Sequence, residues 1–185
     1  MLIAAACVAG YLGMRTFAAT GPRLTTRPSR PSVPVASPQQ AEVRPIYVYV
    51  PKVAQNEASL VPAKYWVRRD ADPKTAAIKK LLAVGQTDEY AGLIPAGTRL
   101  LSLSVGRGLA TVDLSREFVD GFSGGSLQES LTLGALVRTL SQFRDIDRVQ
   151  ILVEGRTVDT LGGHFGIAEP LSYKSTQIGS GRASE

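Results

Sequence analysis

Six prolines between Thr20 and Pro45 (Pro22, Pro28, Pro31, Pro34, Pro38 and Pro45) divide this 185-residue chain before any folding argument begins. Each proline fixes φ and removes a backbone donor, so the stretch predicts an extended, semi-rigid spacer without a core. At roughly 3.1 Å per residue it would separate its two ends by several nanometres. The predicted organisation is an N-terminal membrane anchor or signal segment over 1–19, a Pro/Arg-rich linker over 20–45, a single α/β domain over 46–173 and a flexible tail over 174–185.

The first part has no charge from Leu2 to Met14 and continues after Arg15 with Phe17, Ala18 and Ala19. A spanning helix needs about 20 apolar residues, whereas a run this short fits the apolar region of a signal peptide. A basic leader is missing ahead of it. Either the true start lies upstream, or the segment is an anchor whose Arg15 reaches the lipid headgroups. Three outcomes fit it: a retained anchor, a cleaved signal, and lipidation at Cys7, which follows the small residues Ala4, Ala5 and Ala6. The plain alternative for Cys7 is a small thiol within a membrane helix. Either way the chain is expected outside the cytoplasm, anchored to a membrane or secreted.

The net charge of +5 invites a nucleic-acid reading, and its distribution removes it. Arg15, Arg23, Arg27, Arg30 and Arg44 precede Ile46 against the single acid Glu42, which leaves +1 for everything from Ile46 onward. A domain that binds nucleic acid carries its excess charge on the folded surface, where phosphates are neutralised. Cys7 is also the only cysteine, so the domain has no disulfide and no cysteine metal site.

Within the domain, Ile46 to Val50 is a dense β-branched and aromatic run that predicts a strand stopped by Pro51. A second strand is predicted over Leu60 to Arg69, with Pro62 arguing for an edge. Asp72-Pro73 opens a helix through a capping carboxylate and a proline at the first helical position, and Gly85 is expected to close it in the left-handed region. Two alternating runs, Leu100 to Val105 and Leu109 to Leu114, flank Gly106-Arg107-Gly108 and predict a hairpin. Ser126 followed by Glu129 reads as a capping box for a second, longer helix. Arg148 to Val153 predicts another strand, and Arg156 to Thr160 a short return. The order gives an α/β domain of the α+β kind: a mixed, largely antiparallel β-sheet with two α-helices packed on one face and the last strand placed centrally by a crossover.

Chemistry is sparse in this pattern. The one histidine, His164, lies in a glycine-rich stretch, with no cysteine in the domain and no serine in a nucleophile-elbow pattern. It reads as a turn or packing histidine, with catalysis as the minor alternative. One histidine and no clustered acids offer no metal first shell, and Asp145 and Asp147 read as turn residues. Gly124-Gly125-Ser126 can be read as an anion cradle, but self-capping by Ser126 and Glu129 is the better account. No cofactor is expected. Trp66 and Tyr65 are candidate ligand-stacking residues for sugars, while Tyr47 and Tyr49 share a face that alternation allows to be core.

The order of these pieces resembles the GerMN domain family. The resemblance rests on Ile46-Tyr47-Val48-Tyr49-Val50, the Leu81-Leu82 helix ending at Gly85, and Ile94-Pro95-Ala96-Gly97-Thr98. It continues through Ala110 to Phe118, Thr139-Leu140-Ser141-Gln142-Phe143 and Val149 to Gly155. The chain departs from the family at Gln86, where a proline is common, and shows no second copy of the domain. The resemblance implies a membrane-tethered, extracytoplasmic bacterial module linked to sporulation or germination, without catalytic residues. Its expected partners are an envelope protein or copies of itself, the membrane through the N-terminal segment, and as an alternative peptidoglycan or another carbohydrate. A small hydrolase using His164 ranks last.

Overall fold

A computed structural model describes residues 42–54 and 57–174, so the apolar leader with Cys7, the linker up to residue 41 and the tail from residue 175 lie outside the described residues. β1 (Val43–Ala54) and β2 (Glu57–Arg68) pair antiparallel along their whole length, from Val43↔Arg68 to Ala54↔Glu57. β1 outruns its expected strand at both ends, whereas β2 begins at Glu57, ahead of the expected Leu60, and stops at Arg68, one residue short of the expected Arg69. Val43, Arg44 and Pro45 belong to β1 rather than to the linker, and Pro51 does not stop it.

The hydrogen-bond pattern explains why prolines survive here. The Tyr47 N–H donates to Gln142 Oε1 at 2.9 Å and the Tyr47 carbonyl accepts from Gln142 Nε2 at 2.7 Å, so both groups point away from β2. Direction alternates along an antiparallel pair, so Pro45 and Pro51 share the orientation of Tyr47, as does Pro62 opposite Tyr49. Each proline therefore occupies a position whose N–H would have faced outward, where its absence breaks no ladder bond.

α1 (Pro73–Gly85) starts as expected, with Asp72 accepting the Thr75 N–H at 2.8 Å. Its end corrects the sequence reading. Gly85 is helical, not left-handed, and the cap is Gln86 at φ −102°. The glycine is there for packing: a Cβ would lie 2.5 Å from Ile94 Cγ1 and 3.1 Å from Ile94 Cβ. Gly85→Ala should therefore cost about 1–3 kcal/mol through overpacking. Urea unfolding measures this, and unchanged stability would mean that Ile94 moves aside freely.

β3 (Leu100–Gly106) and β4 (Leu109–Leu114) form the expected hairpin. Its two turn residues, Arg107 (φ 51°) and Gly108 (φ 78°), are both left-handed, the pattern of a type I′ turn. A one-turn helix that the sequence pattern did not reveal, α2 (Glu117–Asp120), leads into α3 (Ser126–Ser141). The chain then returns as β5 (Arg148–Val153), parallel to β4, and finishes in β6 (Leu171–Ser172), antiparallel to β5.

The expected α+β class, largely antiparallel, holds. The strands divide between the β1–β2 ribbon and a four-stranded sheet ordered β3-β4-β5-β6, with β5 inside it. The expected return strand after Gly155 is reduced to two bridges, Val153↔Arg156 and Thr160↔Gly166. Both α1 and α3 touch the ribbon and the four-stranded sheet. Ile46, Val48 and Val50 from the ribbon, Ala110, Val112, Leu114 and Ile151 from the sheet, and Leu81, Leu136 and Leu140 from the helices are all buried. Among the described residues no helix is long and apolar enough to cross a membrane.

Candidate functional site

A polar constellation gathers at the start of α3. Gly125 occupies the N-cap position and no side chain caps the helix, so the expected capping box between Ser126 and Glu129 is not made. Glu129 is fully buried instead, and its carboxylate turns toward the loop over residues 161–165. It accepts the Leu161 N–H at 3.1 Å, the His164 N–H at 3.0 Å and the Phe165 N–H at 3.3 Å, and it faces His164 Nδ1 at 2.9 Å. Burial pushes this carboxyl up, but the N–H groups of Gly162, His164 and Phe165 and the His164 ring together hold it below the ordinary glutamate value.

Packing closes the same region. A Cβ on Gly162 would sit 2.4 Å from Phe122 Cε1 and 3.1 Å from Glu129 Oε2, so the loop backbone lies directly on the acid and the ring. His164 itself is half-exposed. Its ring makes no hydrogen bond to a serine hydroxyl among the described residues, and no group of three or more metal-ligating side chains forms there. With Nδ1 held by a buried carboxylate, the ring is fixed in orientation. The pair is arranged to hold a loop.

A cleft of about 500 Å³ opens between the segment after α1 and the segment before α3, lined among others by Gln86, Asp88, Pro95, Phe122, Gly124 and Gln128. Its amides serve its own walls. Gln86 Nε2 donates to the carbonyls of Leu82 (3.0 Å) and Thr98 (3.1 Å), Gln86 Oε1 accepts the Gly97 N–H (2.8 Å), and Gln128 Nε2 donates to the Gly92 carbonyl. Asp88 is the only ionisable residue lining the cleft, so no acid–base pair converges in it.

The ribbon separates the aromatic candidates. Tyr65, opposite Ile46, packs against the core with Lys80 Nζ 4.4 Å from its ring centre. Trp66 is on the other face, 61% exposed, with Lys64 Nζ 4.8 Å from its ring centre. Tyr47, opposite Lys64, joins Trp66 on that outer face at 39% exposure. The ring that shares a surface with Trp66 is therefore Tyr47 and not Tyr65. Cys7 lies outside the described residues. Asp145 is paired with Lys74 at 2.8 Å, which holds its carboxyl below the usual range. Arg68 pairs with Asp70 at 2.7 Å on the surface.

Comparison with known proteins places this arrangement. A family model described as Germane, sporulation and spore germination, matches residues 45–159. The tandem GerMN domains of the sporulation protein GerM from Bacillus subtilis superpose with a TM-score of 0.58 at 23% identity, over 76% of this chain and 49% of that one. The chain thus spans about half of the tandem structure. The first GerMN domain of the same protein gives 0.56 at 21% identity, over 71% and 98%. A Clostridium perfringens protein described as a candidate lipoprotein gives 0.50 at 23% identity, over 71% and 89%. No curated protein sequence matches the chain.

Proposed function

Because the chain belongs to the Germane family of sporulation and spore germination domains, matched over residues 45–159, we propose that it is a non-catalytic interaction and assembly module of the bacterial cell envelope, acting in spore formation or germination. The observation that carries this reading is the fate of the polar side chains at the α3 start. Glu129, the residue best placed to activate His164, spends its acceptor capacity on three backbone N–H groups and one ring nitrogen, all within one loop. Such a group rigidifies a surface and leaves little for substrate. The apolar run over residues 2–14 and the candidate lipoprotein among the structural relatives support placement at the membrane, facing outward.

Crosslinking of the full chain in its bacterial host, followed by fractionation, tests the proposal. Capture of an envelope protein or of a second copy in the membrane fraction is the expected result. A cytoplasmic chain that captures no protein would overturn it.

The outer face of the ribbon favours a second reading, as a carbohydrate-binding module. Trp66 and Tyr47 are diagonal neighbours on one exposed face, and Lys64 beside them makes no ion pair among the described residues. Aromatic rings with an adjacent cation suit stacking on an acidic sugar chain. Under this reading the protein pellets with purified peptidoglycan, and Trp66→Ala abolishes pelleting while leaving the free energy of unfolding within about 0.5 kcal/mol of wild type. Equal pelleting of both forms would reject it.

A further inference from the structure

Strand edges with unpaired backbone groups are ready-made pairing sites, and folded proteins blunt them with prolines, charges, short strands or covering side chains. Three of the four sheet edges among the described residues carry such devices. β1 is covered by Gln142 and by Thr139, whose Oγ1 accepts the Tyr49 N–H at 3.1 Å. β2 carries Pro62, Lys64 and Arg68, and β6 is only two residues long. β3 carries only a bulge at its Leu100 end, between Leu100 and Ser102, and none of the other devices. Leu100 to Gly106 contains no charge and no proline, and among the described residues the strand pairs only with β4.

The hairpin geometry shows which groups β3 leaves open. Gly106 and Leu109 flank a two-residue turn and exchange the closing hydrogen bonds, so by alternation Ser104 and Ser102 also bond toward β4. Leu103 and Val105 then turn their N–H and C=O groups outward, and neither has a hydrogen-bond partner among the described residues beyond the strand pair. The bulge between Leu100 and Ser102 ends the regular edge at Leu101. Leu101 and Val105 are exposed apolar residues at its two ends, at 49% and 36%.

We propose that the outer edge of β3 pairs antiparallel with β3 of a second copy of this chain, about a two-fold axis at Leu103. The sequence is self-complementary in this register. Leu103 meets Leu103 of the second copy and exchanges two backbone bonds, Ser102 faces Ser104, and Leu101 comes beside Val105. No charge lies within Leu100–Gly106, so inside the paired strand no charge meets its own copy, Arg99 and Arg107 flanking it at its two ends, and an isologous pairing closes at two copies. The two four-stranded sheets become one continuous sheet. This names the contact through which the assembly reading operates, and it rests on that reading.

Cysteine pairing tests the register. In the full chain with Cys7→Ser, Ser102→Cys and Ser104→Cys are made separately. Ser102 and Ser104 of the second copy form a pair that is not hydrogen-bonded, with Cα atoms about 4.5 Å apart, within disulfide range. Mild copper-phenanthroline oxidation of the two variants mixed should give a covalent dimer, and each variant alone should give none. Val105→Lys, at an exposed position, should remove the crosslink while thermal unfolding stays at the wild-type midpoint. No crosslink in the mixture, or equal crosslinking in the single variants, overturns the β3 contact. If host crosslinking still captures a protein in that case, assembly stands through another surface. If it captures none, the assembly reading falls as well.

Discussion

Replacing Glu129 by alanine should cost the domain about 3–5 kcal/mol, measured by urea unfolding of the full chain. The substitution strips the acceptor from the Leu161, His164 and Phe165 N–H groups at once. The Leu161 N–H, the buried donor of the three, costs about 1–3 kcal/mol when left without a partner, the part-buried His164 and Phe165 N–H groups each add less, and the small residue leaves a cavity under the loop. Glu129→Gln keeps one oxygen and the side-chain volume, so it should cost about half as much. pH separates charge from shape. The folded carboxyl is held below the ordinary glutamate value, so its contribution is complete above about pH 4.3 and is lost as pH falls through the lower folded value. The stability gap between wild type and Glu129→Gln should therefore shrink on acidification. A gap that stays constant from neutral pH to about pH 3 would show that the charge contributes nothing.

Phe118→Ala is expected to be comparably severe, at about 3–5 kcal/mol. Phe118 is fully buried and is the only buried residue of α2, a single turn whose N-cap makes no side-chain bond. With so short a helix, propensity contributes almost nothing, and the aromatic ring is what holds the turn to the core. A differential scanning measurement should show a lowered midpoint. Loss of the helix without loss of stability would contradict the assignment of Phe118 as its anchor.

The elements that were legible in the sequence are those whose signal is local. Asp72-Pro73 specified the α1 start, and Gly106-Arg107-Gly108 between two alternating runs specified the β3–β4 hairpin, because caps and tight turns depend on a few neighbouring residues. What stayed hidden depended on distant partners. Ser126 and Glu129 have capping-box spacing, yet Glu129 also lies in step with Leu133, Leu136 and Leu140, all buried, at positions i+4, i+7 and i+11. An acid on the core stripe of a helix must find partners inside, and the glycine-rich loop around His164 supplies them. That spacing was available as a warning. Gly85 looked like a helix terminator, although its reason is Ile94 on the next segment. Tyr47 and Tyr49 could not be assigned to core or surface by alternation, because the face was decided by Ile46, Val48 and Val50 meeting the helices. β6 carried too few residues to register as a strand.

The Gln142 amide that completes the β1 edge is made 95 residues after Tyr47. At about 5–20 residues per second, a ribosome takes several seconds to cover that distance. Throughout that interval β1 has no helix to close it, and a bare edge on a nascent chain is open to pairing with its neighbours on the same polysome. Pro45 and Pro51, placed where the missing N–H breaks no native bond, keep that waiting strand a poor template for others. Residues that look merely tolerated in the finished domain thus stand at positions where the unclosed β1 edge would otherwise offer N–H groups to another chain.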